Sequence, residues 1–308
     1  VYHDLDEDAV RAACRKLKKQ NVESVAISLI FSFVNPAHEL RVAKIVNEEM
    51  PGVHLSVSHK VLPRGPEYDR TSTTVVNAYV GPRVTSYLEK LVSRLRDGGF
   101  KNQLMVMQAS GGVMTKEYID GSPIRVLASG PAGGVIGSAH TGQAKGSPNL
   151  LCVDMGGTSY DMSIVLNGAA PATAGWNMHH RYLVGVPMVQ VETLGAGGGS
   201  ICQISAGEVQ VGPRSAGSEP GPICYGRGGT EPTVTDALLM LGILSADGEF
   251  AGGSFSLQKA GVAEAFQTLG DQMGYSAEDA AFDCWRVVNA NMIQAIRRTT
   301  AGKGIDPR

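Results

Sequence analysis

Glycine clusters constrain the possible folds of this chain more than any other feature of its sequence. Of the 308 residues, 39 are glycine, whereas an average protein contains about 7%. The densest groups are the pair at 156–157 and the group at 195–199. Because glycine has no Cβ, such segments form tight turns and let a ligand approach the backbone closely. Functional residues are therefore expected beside them.

Charge and composition exclude several classes of protein. The chain has 27 Lys and Arg against 29 Asp and Glu, a net charge of −2, without a long run of one sign. This balance argues against a nucleic-acid-binding surface or a polybasic membrane patch. The length and the 43% hydrophobic content predict two globular domains. No apolar run of about 18 residues occurs, so no membrane-spanning helix is expected.

The cysteines and the first residues indicate the cellular compartment. The five cysteines are widely spaced and form no CxxC pair, which favours reduced, buried thiols over a zinc site or a disulfide framework. The chain begins with Val1 and has no basic segment followed by an apolar one, so no secretory signal is expected. We therefore expect a piece, or a processed product, of a cytoplasmic protein.

The pattern of apolar residues predicts an α/β fold, because helices alternate with strands in an order typical of parallel pairing. In the first half we expect a helix beginning near Asp6, a strand at 25–31, a helix from Pro36, a strand at 53–57, a long helix at 71–96 that is kinked or divided in two at Pro82, a strand at 104–107 and a helix at 132–140. In the second half we expect a hairpin of strands 150–154 and 160–165, a strand at 184–191, an irregular loop at 207–229 and helices at 234–241, 257–269 and 277–300.

The hairpin at 153–165 carries the strongest local motif, DMGGTSYD at 154–161. Its two glycines allow successive backbone N–H groups to form a nest for a phosphate, and Thr158 adds a hydroxyl donor. Asp154 and Asp161 belong to the residue type that holds Mg²⁺ beside phosphates. A second interpretation stays open, in which the glycines only allow positive φ and the acids cap neighbouring amides.

The second glycine group is GAGGGS at 195–200, which follows a predicted strand. It does not fit the dinucleotide-binding GxGxxG motif, because Ser200 takes the place of the third glycine. A general anion-binding loop and a flexible turn are both open interpretations. The P-loop motif is absent, because Lys145 and Lys303 are followed by glycine rather than by Ser or Thr.

Two further polar groups carry weaker signals. Because adjacent residues on a strand point to opposite faces, a loop or surface role is favoured over metal binding for His179 and His180. The group EYDR at 67–70 is expected to be a solvated helix start with a local ion pair. A Ser-His-Asp hydrolase has little support, because no GxSxG motif occurs.

At these motifs the sequence resembles the hydantoinase A/5-oxoprolinase family, which includes acetone carboxylase β-type subunits. The resemblance covers nearly the whole chain. The motifs that carry it are SHKVLPRGPEYDRTSTTVVNAY at 58–79, SGPAGGVIGSA at 129–139, VDMGGTSYD at 153–161, LGAGGGSI at 194–201, VGPRSAGSEPGPICYGRGG at 211–229 and PTVTDA at 232–237.

The resemblance implies an actin/Hsp70/sugar-kinase-like α/β fold, in which two RNase H-like lobes hold ATP and Mg²⁺ in a cleft. It makes residues 1–130 the C-terminal part of the first lobe and 131–308 the second lobe, joined by a helix at 129–139. The hairpin at 153–165 is then a phosphate hairpin, and 195–200 is a later loop on the phosphate side. The site residues are Asp154 and Asp161 as catalytic and Mg²⁺-binding acids, with Gly156, Gly157, Thr158, Gly195, Gly197, Gly198, Gly199 and Ser200 as nucleotide-binding residues.

The sequence departs from the family pattern in three places. Family members begin with another phosphate hairpin of the DVGGTFTD type and carry a GGAGP-like adenosine loop after the last helix, and neither occurs in these 308 residues. Tyr160 stands where relatives usually have threonine, which is expected to alter the fit of the turn to phosphate. We therefore interpret the chain as an incomplete, central fragment that is inactive in isolation.

The implied activity is ATP-dependent hydrolysis of a cyclic amide such as hydantoin or 5-oxoproline, through phosphorylation of the ring carbonyl oxygen. Ring opening is expected to need a partner of the hydantoinase B type, as a separate chain or a fused domain. The ATP-using subunit of an acetone or acetophenone carboxylase is an alternative from the same family. A truncated, non-catalytic structural fragment is an alternative from another class.

Overall fold

The structure is a computed structural model that describes residues 3–178, 181–248, 250–253 and 255–306. The chain divides into two compact units. Unit 1 comprises Val1–Pro148 and Val165–Gln190, and unit 2 comprises Asn149–Ile164 and Val191–Arg308. No helix among the described residues combines the length and the apolarity that crossing a membrane requires.

Helices and short strands are mixed in both units. The helices are α1 (Glu7–Lys19), α2 (Ala37–Glu49), α3 (Ser58–Val61), α4 (Glu67–Asp97), α5 (Lys116–Gly121), α6 (Ser129–Ala144), α7 (Val234–Met240), α8 (Val262–Asp271) and α9 (Ala277–Ala301). The strands are β1 (Ser24–Ile27), β2 (His54–Val57), β3 (Met105–Met107), β4 (Val113–Thr115), β5 (Leu150–Met155), β6 (Tyr160–Val165), β7 (Ala172–Thr173), β8 (Trp176–Met178), β9 (Tyr182–Val184), β10 (Met188–Val189), β11 (Glu192–Leu194), β12 (Ser200–Ser205) and β13 (Glu208–Ser215). Unit 1 contains α1–α6, and unit 2 contains α7–α9.

The parallel pair β1–β2 organises the start of unit 1. Ser24 pairs with His54 and Ile27 with Val57, so the parallel pairing predicted from the sequence is confirmed for these strands. Helix α1 begins near the predicted position because the side chain of Asp6 accepts a backbone N–H bond of 2.9 Å as its N-cap. The core between the pair and helices α1 and α2 is made of Cys14, Ile27, Val46, Met50 and Val57.

Helix α4 is the long helix predicted from the sequence. It continues through Pro82 as one element, so the division into two helices considered at this residue does not occur. Its first turn carries Arg70, which is fully buried. The guanidinium donates to Leu29 O at 2.8 Å and to Ser58 Oγ at 3.0 Å, and it also pairs with Glu67. The ion pair expected at this helix start is therefore present. The expected solvated position is wrong for Arg70, whereas Tyr68 is exposed and Glu67 is partly exposed. Arg70 is buried because it satisfies backbone and side-chain acceptors that the loops leave in the interior.

A second buried charge, Glu39 of α2, lies in the same network. Its carboxylate accepts hydrogen bonds from Leu29 N at 2.8 Å and Ser58 Oγ at 2.6 Å. It also accepts from the backbone N and from Nδ1 of His59, at 3.0 and 2.7 Å. Burial by itself raises the pKa of this carboxyl group, but the four donors outweigh burial and lower the pKa below its usual value. Glu39 is thus an ionised hub, by which we mean a single carboxylate whose hydrogen bonds connect the loop after β1 to the segment after β2.

Unit 2 has one main core, which is shared by helices α7, α8 and α9 and the antiparallel hairpin β12–β13. Phe266 and Cys284 are completely buried in it. The five cysteines are free and buried, as the sequence predicts. A hydrogen bond to Cys284, together with burial, raises the pKa of the Cys202 thiol. Cys202 therefore acts as a core residue in the neutral form.

Several predicted elements have different bounds in the structure. The helix predicted at 257–269 is α8, which begins only at Val262 and ends at Asp271. The strand predicted at 25–31 ends at Ile27, because the next residues turn so that their backbone groups reach Glu39 and Arg70. The strand predicted at 184–191 is divided among the end of β9, β10 and the residues before β11. The loop predicted at 207–229 begins with strand β13, which pairs with β12 and so satisfies its own backbone.

The two compact units are not the same division as the predicted lobes. Helix α6 lies entirely in unit 1, whereas the resemblance assigns residues from 131 onward to the second lobe. The lobe boundary near residue 130 stays a prediction.

The buried carboxylate of Glu39 predicts a pH-dependent stability. Because the pKa of Glu39 is lowered in the folded state, its contribution is complete above the unfolded pKa of about 4.3. The contribution is lost as the pH falls toward the folded value. Replacing Glu39→Gln should lower the free energy of unfolding by about 1–3 kcal/mol at neutral pH. Urea unfolding should show that the difference in free energy of unfolding between wild type and Glu39→Gln becomes smaller at acid pH.

The matched control is Glu23→Gln, which changes an exposed glutamate in the same unit. This substitution should change the free energy of unfolding by less than about 0.5 kcal/mol at every pH. A Glu39→Gln difference that stays constant from neutral to acid pH would contradict the assignment of an ionised hub.

Candidate functional site

The hairpin β5–β6 forms as the sequence predicts. Its turn is closed by a hydrogen bond from Gly156 N to Ser159 O at 2.9 Å, and β6 lies between β5 and β11 in a three-stranded sheet. Counting outward from the turn places Asp154 opposite Asp161. Residues opposite each other on antiparallel strands share one face of the sheet. The two predicted acids are therefore on the same face.

That face is accessible to solvent at its end beside the turn. Asp154 is exposed and Asp161 is half-buried. Thr193 of β11 pairs with Asp161 across the strands and donates its hydroxyl to Asp161 Oδ1 at 2.6 Å. One oxygen of Asp161 is thus fixed by threonine, while the carboxylate of Asp154 makes no hydrogen bond within the described residues.

The opposite face of the hairpin packs on helix α9. Tyr160 and Met162 form a small core with Ala295, and burial raises the pKa of the Tyr160 hydroxyl. Tyr160 therefore lies on the core side of β6, on the face opposite the two acids. Its side chain serves as packing between β6 and α9, and the expected effect of this residue on phosphate binding stays a prediction.

The second glycine group is bonded to the hairpin. Gly198 N donates to Gly156 O at 3.0 Å, and Gly199 N donates to Gly157 O at 2.6 Å. A Cβ at Gly197 would lie 2.7 Å from backbone atoms of the turn, so only glycine allows this approach. We call the paired segments 156–158 and 197–199 the glycine clamp. The two motifs found separately in the sequence are one structural feature.

The start of α7 donates hydrogen bonds to the glycine clamp. The backbone N and the hydroxyl of Thr235 both donate to Gly198 O at 2.8 Å. Next to it Asp236 is completely buried, and its carboxylate accepts from Thr233 N at 2.9 Å and Cys224 N at 2.7 Å. Asp236 thereby ties the irregular loop before α7 to the helix start.

Thr235 and Asp236 are functional supports that the sequence analysis did not assign. Both lie in the PTVTDA motif at 232–237. The spacing of Thr233 and Asp236 is that of a helix capping box, which the structure contains. This spacing could have indicated the two residues from the sequence. A capping box marks the first residue of a helix, and the first turn of a helix can donate hydrogen bonds to a neighbouring loop.

The glycine clamp restricts which amides can bind an anion. The N–H groups of Gly156, Gly198 and Gly199 are used in the internal bonds given above. Gly197 N donates to the buried Ser200 Oγ at 2.9 Å, and Gly195 lies exposed at the edge of the loop. Most residues of the predicted loop 195–200 thus use their amides for hydrogen bonds that stabilise the loop and the turn, and these amides do not face a ligand.

The remaining donors lie at the tip of the hairpin. Gly157 and Thr158 are exposed, and within the described residues neither their backbone N–H groups nor the Thr158 hydroxyl has a hydrogen-bond partner. Adjacent unpaired amides of this kind form a site for phosphate oxygens. The nucleotide-binding role of all the predicted residues stays a prediction.

The acids fit Mg²⁺ better than a metal that needs a complete protein cage. Within the described ranges, no group of three or more His, Cys, Asp or Glu side chains is placed to hold a metal. Mg²⁺ usually keeps several waters and takes one or two carboxylates together with substrate phosphates. Asp154 and Asp161 on one open face match that requirement. His179 and His180 lie outside the described residues.

The close approach at Gly197 can be tested with one methyl group. Gly197→Ala places a Cβ 2.7 Å from Gly156 O and from Thr158 N, which are backbone atoms. We expect a loss of about 1–3 kcal/mol in the free energy of unfolding, which is typical of overpacking. Hydrogen exchange at the amides of Gly198 and Gly199 should become faster.

Gly195→Ala is the matched control, because a Cβ at Gly195 meets no atom within 4 Å and its φ is not positive. It should leave both measurements nearly unchanged. Equal effects of the two substitutions would show that the glycine clamp does not depend on the close approach.

Comparison with known proteins identifies the family. Residues 70–308 match the hydantoinase/oxoprolinase family, and 1–50 match the hydantoinase/oxoprolinase N-terminal region. Caprolactamase subunit alpha of Pseudomonas jessenii is 41% identical over 309 residues, covering 100% of this chain and 44% of the relative. The chain thus spans less than half the length of that relative.

Solved structures agree with this result. A nucleotide-free structure of acetone carboxylase superposes with a TM-score of 0.87 at 31% identity, covering 98% of this chain and 43% of that one. The crystal structure of ATP-dependent caprolactamase from Pseudomonas jessenii gives a TM-score of 0.75 at 40% identity, covering 96% and 43%. The predicted actin-like α/β fold class is confirmed. The chain belongs to the hydantoinase/oxoprolinase family.

Proposed function

We propose that the whole protein of which these residues are part is a subunit of an ATP-dependent hydrolase of cyclic amides. The observation that carries the proposal is the tip of the hairpin, where the amides of Gly157 and Thr158, beside the carboxylate of Asp154, have no partner in the part of the chain that the structure describes. The 41% identity to a caprolactamase subunit supports a cyclic amide as the substrate. Hydantoin-like and 5-oxoproline-like rings belong to the same chemical class.

Each residue at the tip has a defined task in this proposal. The amides of Gly157 and Thr158 bind oxygens of the terminal phosphates, and the Thr158 hydroxyl adds a third donor. Asp154 holds Mg²⁺ directly or through water, and Asp161, oriented by Thr193, assists it. Bound Mg²⁺ would neutralise charge on the transferring phosphoryl group. The second glycine group keeps the tip in place through the bonds from Gly198 and Gly199.

Phosphoryl transfer suits a site of this kind. Such transfer depends mainly on positioning and on electrostatic stabilisation, so the protein needs fixed donors rather than a nucleophile. The glycine clamp supplies fixed donors, because its backbone is bonded to β6, α7 and the loop before α7. Phosphorylation of the ring carbonyl oxygen makes the carbonyl carbon electrophilic toward water, which is the proposed use of ATP.

Acetone carboxylase supports a second candidate function. Its solved structure has the higher TM-score of the two structures compared, 0.87. The same phosphate site would then activate a ketone or bicarbonate rather than an amide. The higher sequence identity to caprolactamase, 41% against 31%, favours the cyclic amide.

The wider organisation of the protein belongs to the same proposal. We place residues 1–130 in a first lobe and 131–308 in a second lobe, with ATP between them. A hydantoinase B-type subunit or fused domain would act on the activated ring, in keeping with the name of the relative as an alpha subunit. We propose the cytoplasm as the location.

The role of Asp154 predicts a specific loss of activity. In the full-length protein with its partner, Asp154→Ala should lower ATP-dependent turnover by roughly 100- to 1000-fold, because a carboxylate that holds Mg²⁺ is removed. Phosphate release should be measured with a panel of cyclic amides and, separately, with ketones and bicarbonate. The substrate class that stimulates phosphate release distinguishes the two candidate functions. Asp247→Ala removes an exposed acid of unit 2 and should have little effect. Unchanged phosphate release in Asp154→Ala would refute the metal assignment.

Nucleotide binding can be separated from turnover. A ligand at 100-fold excess over its Kd stabilises a protein by about 2.7 kcal/mol. Mg-ATP should therefore raise the unfolding temperature of the full-length protein, and Asp154→Ala should weaken the effect of Mg²⁺ more than that of ATP alone. If Mg-ATP gives no shift in the full-length protein, a structural role without nucleotide is the better explanation.

A further inference from the structure

The loop that follows β13 lies directly against the glycine clamp. Ala216 N donates to Gly199 O at 2.8 Å, and Ser215 is the last residue of β13. A Cβ at Gly199 would lie 3.0 Å from Gly157 O and 3.0 Å from Ser215 Oγ. Because both atoms are that close to one point, they are separated by no more than twice this distance. The Ser215 hydroxyl is therefore a neighbour of the hairpin tip, and both belong to unit 2.

The pairing of β12 with β13 fixes the position of Ser215. Ser215 pairs with Ser200 across the two strands, and the Oγ of Ser200 accepts from Gly197 N at 2.9 Å. Gly217 N donates to Ser215 Oγ at 3.2 Å, which orients the side chain. The Ser215 hydroxyl is thus attached to the same backbone framework as the second glycine group.

The Ser215 hydroxyl also has a proton without an acceptor. A hydroxyl has one proton to donate, and its lone pairs can accept. The oxygen of Ser215 accepts from Gly217 N, but none of the described residues accepts the proton. Because Ser215 is only half-buried, a ligand can reach it. Ser215 therefore offers a further donor beside the unpaired amides of the tip.

The charged neighbour of Ser215 in the sequence is already paired. Arg214 Nη2 donates to both carboxylate oxygens of Glu231, at 3.0 and 2.9 Å. Adjacent residues of a strand point to opposite faces, so Arg214 and Ser215 do not share a face. The donor that the end of β13 presents beside Gly199 is therefore the neutral hydroxyl and not the guanidinium group.

A hydroxyl close to two free amides suits a phosphate group. Phosphate oxygens accept from successive backbone N–H groups, and a hydrogen bond to an ionised acceptor is stronger than one to a neutral acceptor. Two hydrogen bonds of about 2.8 Å, one on each side of a phosphate group, bridge a gap as wide as that between Ser215 Oγ and Gly157 O. The spacing therefore allows one phosphate group to contact the tip and Ser215 together.

We propose that the Ser215 hydroxyl donates a hydrogen bond to a phosphate oxygen of the nucleotide held at the hairpin tip. The proposal rests on the proposed function and adds to its site a binding residue from a third segment of the chain. Gly199 has a second task in this arrangement, because a side chain there would fill the space between Ser215 and Gly157. The phosphate group is then held by the hairpin and by the loop after β13.

Asparagine and aspartate at position 215 separate hydrogen-bond donation from shape, because the two side chains have nearly the same size. Each has an oxygen that can accept from Gly217 N, but only asparagine has N–H donors, and aspartate adds a charge that repels phosphate. Titration calorimetry of the full-length protein with its partner should give a Kd for Mg-ATP in Ser215→Asn within about threefold of wild type. Ser215→Ala should raise this Kd about 10-fold, and Ser215→Asp about 100-fold or more.

Ser205→Asp is the matched control for the added charge. Ser205 is exposed and lies at the other end of the same strand pair, where it pairs with Glu208. Five residues of strand separate it from Ser200, a distance of about 16 Å, and salt screens exposed charges beyond about 8 Å. Ser205→Asp should therefore change the Kd for Mg-ATP by less than about twofold. If the thermal melt shows that Ser215→Asp does not fold, the comparison of Ser215→Ala with Ser215→Asn decides the question in the same way.

The outcomes distinguish this inference from the proposed function. If wild type does not bind Mg-ATP, the proposed function fails before any variant is compared. If wild type binds Mg-ATP and the Kd is the same in all variants at position 215, only the role of Ser215 fails. An equal loss of affinity in Ser205→Asp and Ser215→Asp would also overturn the role of Ser215, because it would show a general effect of charge.

Discussion

Two backbone hydrogen bonds between the glycine segments hold the candidate site together. They join Gly198 N to Gly156 O and Gly199 N to Gly157 O, and they need a contact at Gly197 that no side chain allows. Because these bonds use backbone atoms on both sides, they fix the turn without employing any charged group. Within the described residues, the carboxylate of Asp154 and the amides of Gly157 and Thr158 therefore have no hydrogen-bond partner.

Each unit also contains one completely buried carboxylate that organises its loops. Glu39 in unit 1 and Asp236 in unit 2 each accept four hydrogen bonds, and both bind residues distant in sequence. Burying a charge is costly unless it is fully bonded. A carboxylate with four donors therefore specifies one arrangement of several loops, whereas apolar contacts would tolerate many. This accounts for the order of irregular segments such as the one before α7.

The two networks have different uses. In unit 2, Asp236 and Thr235 lie behind the glycine clamp and stabilise backbone geometry. In unit 1, Glu39 orients an imidazole whose second nitrogen is unpaired among the described residues. The segments matched by the family models, 1–50 and 70–308, include both Glu39 and Asp236 but not His59. The relatives of this chain include a caprolactamase subunit and an acetone carboxylase subunit, so family membership alone does not decide the substrate.

The sequence by itself determined the family, the fold class, the glycine hairpin and the long helix. These follow from local patterns: DMGGTSYD has the spacing of a tight turn between strands, and the apolar residues of α4 repeat at helical intervals. Only the tertiary structure decided that the amides of Gly198 and Gly199 bond to the hairpin, that Arg70 is buried, and that Glu39 orients His59. The physical reason is that each of these depends on which distant group satisfies a buried donor or acceptor. A local pattern does not contain that information, because the partner is chosen by the packing of the whole unit.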